Sequence, residues 1–278
     1  MNSIQGPIGV FDSGYGGLTV LKSFKQFLPQ YDFIYLGDNA RAPYGSRSFE
    51  VILEYSLEAV LWLFKQGCPL IIFACNTASA KALRTIQQRY LPQIDNTKRV
   101  LGVIRPTVEA IGNYTQTKKV GILGTIGTIV SESYPIEIKK LYPEITTYQH
   151  ACPLWVPIVE HEEMNTPGAD YFIEKDIRAL LSQDSGIDTI ILGCTHYPLL
   201  LPTIERFVPE GVKIISQDVI VAQSLKDYLK RHPEIETRCT KTGTTTFYTT
   251  DNEELFNKRA NIFFGEEVNA QKVIHLNI

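Results

Sequence analysis

The sequence predicts an α/β fold of two pseudo-symmetric, doubly wound domains with mostly parallel sheets. Three observations carry this. Short apolar runs alternate with helix-period stretches along the whole chain, the pattern of strands joined by crossover helices. Several runs, such as residues 70–74 (LIIFA), are apolar at every position, as in a strand covered by helices on both faces. Two segments of the first half also have counterparts, in the same order, in the second, as a duplicated unit would.

The elements follow in chain order. Residues 8–11 (IGVF) read as a strand ending in the turn 12–17 (DSGYGG), and 18–27 as a helix. Residues 33–36 form a second run, followed by a polar loop at 41–46 and an amphipathic helix over 49–65. The run 70–74 is a third strand with Cys75-Asn76-Thr77 at its end, and 78–90 reads as a helix. In the second half, 99–104, 120–123, 146–148, 189–192 and 212–215 read as strands. Helices are expected over 130–141, 169–181, 199–207 and 220–231. The Thr-rich stretch 237–250 reads as β structure or loop, and 253–264 as a final helix.

Composition narrows the function classes. The 278 residues suggest about two domains. With 27 Lys+Arg against 30 Asp+Glu the net charge is −3, which does not advertise nucleic-acid or anionic-membrane binding. No apolar run reaches the ~18–20 residues of a membrane span, and no targeting segment is expected at the N-terminus. The five cysteines, Cys68, Cys75, Cys152, Cys194 and Cys239, are odd in number and widely spaced, a poor disulfide framework. There is no CxxC for zinc. A reducing cytoplasm is the expected compartment. Cys68, Cys152 and Cys239 read as structural.

The internal echo sets Cys75 and Cys194 apart. Residues 8–16 (IGVFDSGYG) lie beside 120–128 (VGILGTIGT), and 70–77 (LIIFACNT) beside 189–196 (TIILGCTH), with a cysteine in register. Each cysteine follows a buried strand and is expected to open a helix, whose N-terminus favours thiolate over thiol. Two such thiols facing each other across an interdomain cleft suit inversion of a carbon that bears an acidic hydrogen. One group removes the proton from one face, and the other donates to the opposite face. The active site is therefore expected in that cleft. Helix N-termini and turn N–H groups would meet a substrate carboxylate, with Asp12, Ser13, Asn76, Thr77, Thr125, Thr128, Thr195 and His196 as the polar candidates. His196 could steer the proton of the neighbouring thiol. Asp12 reads equally as a helix-cap residue and as a catalytic assistant. Gly14, Gly16 and Gly17 have G-x-G-G spacing, which does not match the dinucleotide G-x-G-x-x-G.

At these residues the chain resembles the cofactor-independent aspartate/glutamate racemase family. The resembling segments are 8–18 (IGVFDSGYGGL), 38–46 (DNARAPYGS), 74–80 (ACNTASA), 120–130 (VGILGTIGTIV) and 192–199 (LGCTHYPL). The resemblance implies interconversion of L- and D-glutamate for peptidoglycan, with no pyridoxal phosphate or other cofactor and no metal. By motif match, Cys75 would deprotonate D-glutamate and Cys194 L-glutamate. Asp12, His196 and Glu160 would assist the thiols. Asp12, Ser13, Pro43, Tyr44, Gly45, Asn76, Thr77, Thr125, Thr128, Thr195 and His196 would bind substrate. The family's inserted second domain would be 98–210, leaving 1–97 plus 211–278 as the first, and a homodimer is implied. Thr107 departs from the pattern: many relatives carry Gly after the equivalent of Pro106. It lies outside the thiol turns, so its expected influence is on the hinge or on regulation. The alternatives are a racemase for aspartate and a non-catalytic amino-acid-binding module.

Overall fold

The computed structural model describes residues 5–273 and Leu276. Its strands form two sheets, and every pairing between named strands is parallel. β1 (Ile8–Asp12), β2 (Phe33–Gly37), β3 (Leu70–Phe73) and β4 (Arg99–Gly102) run in the order β2-β1-β3-β4. β5 (Lys119–Gly124), β6 (Thr146–Ala151), β7 (Thr189–Gly193) and β8 (Lys213–Ile215) run as β6-β5-β7-β8. Numbered within each unit, both sheets read 2-1-3-4. The echoed segments are β1 with β5 and β3 with β7, so the duplication visible in the sequence is a duplication of topology. β9 (Thr245–Thr249) and β10 (Ala270–Lys272) extend the first sheet beyond β2.

The 2-1-3-4 order has a consequence for function. Crossover helices leave the first and third strands toward opposite faces of the sheet. A crevice opens between those strands at their carboxyl ends, where ligands bind in such folds. β1, β3 and β7 are buried along their whole length, as expected for strands covered on both faces. One apolar cluster runs continuously through both sheet layers, from Leu18 and Phe24 to Trp155, Ile190 and Tyr197.

β4 pairs with β3 in the first sheet, and β8 pairs with β7 in the second. Three differences from the expected elements have local causes. The expected strand 99–104 stops at Gly102, and a helix, Ile104–Ile111, begins. Another helix, Trp155–Glu160, stands where none was expected. Both carry a proline in their first turn, where its missing N–H breaks no helical bond although it reads as a breaker. The expected helix 130–141 divides into Ile126–Val130 and Ser133–Leu141, with Glu132 between them at φ 52°.

Candidate active site

The unusual residues collect at the carboxyl ends of β1, β3, β5 and β7. After β3, Cys75 caps the helix Asn76–Lys81, and its Sγ accepts from the Ala78 N–H at 3.4 Å. Ser13 Oγ, on the turn after β1, lies 3.5 Å from the same sulfur. Asp12 closes β1. Its Oδ2 accepts from the Gly14 N–H at 2.9 Å, while its buried Oδ1 has no partner among the described residues. After β5, Thr125 caps the helix Ile126–Val130 by accepting from the Thr128 N–H. After β7, Cys194 Sγ lies 3.9 Å from His196 Nδ1, and His196 Nε2 lies 3.0 Å from Glu160 Oε1. Cys194 opens no α-helix. Its turn leads into the 3₁₀ segment Tyr197–Leu200, which contains Pro198. The two thiols thus share a topological position but not a helix N-terminus.

The turns of the two sheets interlock. Thr19 Oγ1 donates to the carbonyls of Gly16 at 2.9 Å and Thr195 at 3.2 Å. A Cβ on Gly16 would stand 2.2 Å from Thr195 Oγ1 and 2.5 Å from His196 Nδ1. Gly16 is therefore needed for close approach of the turn after β1 to the turn after β7. On the other side, Thr77 Oγ1 and Thr125 Oγ1 are 2.9 Å apart, and the Gly127 N–H donates to the Gly45 carbonyl at 2.7 Å. The Tyr44–Gly45 loop is held from behind: Tyr44 donates to the buried Asp38 carboxylate, and Arg41 Nε donates to the same oxygen at 2.7 Å.

Between these turns lies a cavity of about 130 Å³. Cys75 and Cys194 both line it, each about one-twentieth exposed. So do Ser13, Pro43, Tyr44 and Gly45 from the first sheet's loops, together with Asn76 and Thr77. Thr125, Glu160, Thr195 and His196 complete that set from the second. Two expected residues stand behind the wall. Asp12 lies under Ser13 and Gly14, and Thr128 lies under Thr125, whose hydroxyl is 3.1 Å from its own. Cys152, expected to be structural, forms part of the wall with Pro153, Val156 and Pro157. Its position at the end of β6, next to the chemistry-bearing strands, was the available signal. A larger cleft of about 510 Å³ lies between the segment 79–87 and the helices Ile104–Ile111 and Ser133–Leu141. It reaches neither thiol. Among the described residues, no group of three or more His, Cys, Asp and Glu side chains is gathered as for a metal ion.

The electrostatics of the two thiols differ. Burial, reinforced by the Asp12 carboxylate, pushes the Cys75 thiol up to about 12. The helix N-terminus was expected to lower it, but desolvation of the anion outweighs the backbone N–H at this depth. Burial would lower His196, yet Cys194 and Glu160 outweigh it and push the imidazole up to about 10. Glu160 itself is opposed by burial but held below its ordinary value, chiefly by His196. Burial also raises Asp12, against the pull of His196 and the Gly14 N–H. The site therefore favours a neutral thiol at Cys75 and an imidazolium beside Cys194.

The model of the Asp/Glu/hydantoin racemase family matches residues 9–224. The chain belongs to this family. It is 38% identical over 268 residues to a glutamate racemase of Sulfurihydrogenibium sp., with 96% of each chain covered. The crystal structure of a glutamate racemase isoform from Bacillus anthracis superposes with a TM-score of 0.89 at 33% identity, covering 98% of this chain and 99% of that one. The glutamate racemase of Francisella tularensis, solved in complex with D-glutamate, gives 0.85 at 33% identity and 98% coverage of both chains. In this racemase family member, two thiols from corresponding strand ends of two like sheets share one small cavity.

Proposed function

We propose that the chain interconverts L- and D-glutamate by proton transfer between two thiols and the α-carbon, and that its D-glutamate serves peptidoglycan synthesis. The observation that carries this is the shared cavity of Cys75 and Cys194, reached from two sheets that share a 2-1-3-4 order of four strands. A racemase needs a base on one face of the α-carbon and an acid on the other, with the roles exchanged in the reverse direction. Relatives named as glutamate racemases, one of them solved with D-glutamate, support glutamate as the substrate.

The steps use the two thiols in turn. With L-glutamate bound, the Cys194 thiolate beside the His196 imidazolium removes the α-proton. The electron pair left at carbon delocalises into the α-carboxylate. The neutral Cys75 thiol then delivers its proton to the opposite face, which yields D-glutamate with Cys75 as thiolate and Cys194 as thiol. The reverse reaction starts from that second state. Negative charge grows on the carboxylate in the transition state, so preoriented donors must meet it. The Asn76, Thr77, Thr125 and Thr195 groups and the turn N–H groups around Ser13 and Gly45 are the candidates. Glu160 stabilises the imidazolium through Nε2. Asp12, with one oxygen unpartnered among the described residues, serves Cys75 and the substrate ammonium from behind Ser13. Thr128 orients Thr125.

We assign the family's two-domain division to this chain, the first domain carrying Cys75 and the second Cys194. No helix among the described residues is long and apolar enough to cross a membrane, and a cytoplasmic homodimer suits the reading. The test is circular dichroism of the purified protein with either enantiomer in D2O, with mass detection at the α-carbon and an aspartate control. Loss of optical activity with deuterium uptake from glutamate supports the reading. Glutamate binding without exchange would replace it with an amino-acid sensor. Faster turnover of aspartate would change the substrate.

A further inference from the structure

Asn76 lines the cavity next to Cys75, and its carboxamide could face a bound molecule with either end. A carboxylate ligand needs the N–H end, because the carbonyl end would repel it. What sets the choice is a buried relay of side chains from three other parts of the chain. Tyr134 Oη donates to Asn76 Oδ1 at 2.7 Å, and Asn76 Nδ2 donates to Gln217 Oε1 at 2.7 Å. Gln217 Nε2 donates to Thr107 Oγ1 at 3.0 Å and to the Tyr134 oxygen. Thr107 Oγ1 donates to the Val103 carbonyl at 2.8 Å. All four side chains are at least 96% buried.

The direction of every bond in this relay follows from its last member. A carbonyl only accepts, so Thr107 spends its one proton on Val103 and accepts from Gln217. The Gln217 end facing Thr107 is therefore the NH2 group, and the end facing Asn76 is the oxygen. Asn76 must then present its own NH2 group to Gln217 and its oxygen to the Tyr134 hydroxyl. One Nδ2 hydrogen of Asn76 remains without a protein partner among the described residues. Reversing Gln217 would set its NH2 group against that of Asn76, and reversing Asn76 would set its carbonyl oxygen against that of Gln217, so either change leaves buried polar atoms unsatisfied.

We infer that Thr107, Gln217 and Tyr134 are positioning residues that fix the polarity of Asn76, so that it offers an N–H to the carboxylate of the substrate. This rests on the glutamate reading above. Asn76 follows Cys75 directly, Thr107 and Tyr134 belong to helices associated with the second sheet, and Gln217 follows β8. The relay thus lets residues remote from the cavity set how substrate is held beside Cys75.

The experiment compares steady-state kinetics of wild type, Thr107→Val, Thr107→Ser and Tyr134→Phe with both enantiomers of glutamate, alongside their melting temperatures. Thr107→Val keeps the shape and removes the hydroxyl, so KM is expected to rise about 3- to 10-fold for both enantiomers, with a smaller change in kcat. Thr107→Ser, which keeps the hydroxyl, is expected to restore wild-type KM. Tyr134→Phe removes the donor to Asn76 and is expected to raise KM independently. A lowered melting temperature with unchanged KM in both Thr107→Val and Tyr134→Phe would overturn the inference, as would failure of Thr107→Ser to rescue. Absence of turnover by the wild type in the same assay would instead remove the glutamate reading and the inference with it.

Discussion

Cys75 and Cys194 stand at equivalent positions of two sheets that share a 2-1-3-4 order of four strands, yet their neighbours differ in kind. Around Cys75 the partners are a helix N-terminus, the Ser13 hydroxyl and the buried carboxylate of Asp12. Around Cys194 they are the His196 imidazole and, behind it, Glu160. A carboxylate next to a buried thiol keeps the proton on sulfur, whereas an imidazolium next to one favours its removal. Duplication supplies two thiols at equivalent positions, and divergence of the neighbours sets a buried carboxylate and a hydroxyl beside one and an imidazole beside the other.

The comparison breaks most completely if either thiol is dispensable. Cys75→Ala and Cys194→Ala are each expected to lower racemisation about 10³-fold or more in both directions, with unchanged far-ultraviolet dichroism. Solvent deuterium should still enter L-glutamate slowly in Cys75→Ala and D-glutamate in Cys194→Ala, as read by mass spectrometry. The opposite pattern would exchange the faces assigned to the two thiols.

Removing the imidazole sharpens the asymmetry. His196→Gln is expected to reduce turnover about 10- to 100-fold. The equilibrium constant of a racemisation is unity, so kcat/KM must fall equally in both directions. The difference between the halves appears only in kcat and KM taken separately, with the larger kcat loss expected for L-glutamate.

Much of this site was legible because it rests on strand ends. The register of ACNT with GCTH, each behind a fully apolar run, located both thiols and most of the polar lining. The protonation pattern was not legible, since it depends on burial and on Asp12 and Glu160 approaching from other segments. Glu160 sits in the short helix Trp155–Glu160 that its proline concealed, so only the family resemblance pointed to it. The role of Gly16 was equally hidden. Its spacing excluded a dinucleotide loop, but its contacts lie with Thr195 and His196, far along the chain.

Those contacts give a smaller effect. Gly16→Ala forces a Cβ to within 2.5 Å of His196 Nδ1. A loss of about 1–3 kcal/mol of stability is expected, measured by denaturant unfolding, with some loss of activity as the His196 turn moves. A further effect on stability concerns pH. His196 is raised from 6.5 to about 10 in the folded chain. Its contribution to stability is full below about 6.5 and is lost as pH rises through about 10. Melting temperatures of His196→Gln should lack that alkaline slope, whereas an identical slope in the variant would place the titration elsewhere.

The central claim is that two thiols act on opposite faces of one carbon. Its most direct test is to convert L-glutamate in D2O and stop at low conversion, then resolve the enantiomers and weigh each. The account predicts deuterium at the α-carbon of the D-glutamate formed, while the unconverted L-glutamate keeps its hydrogen. Product that retains the original hydrogen would contradict it, because a single base would then have carried the same proton from one face to the other.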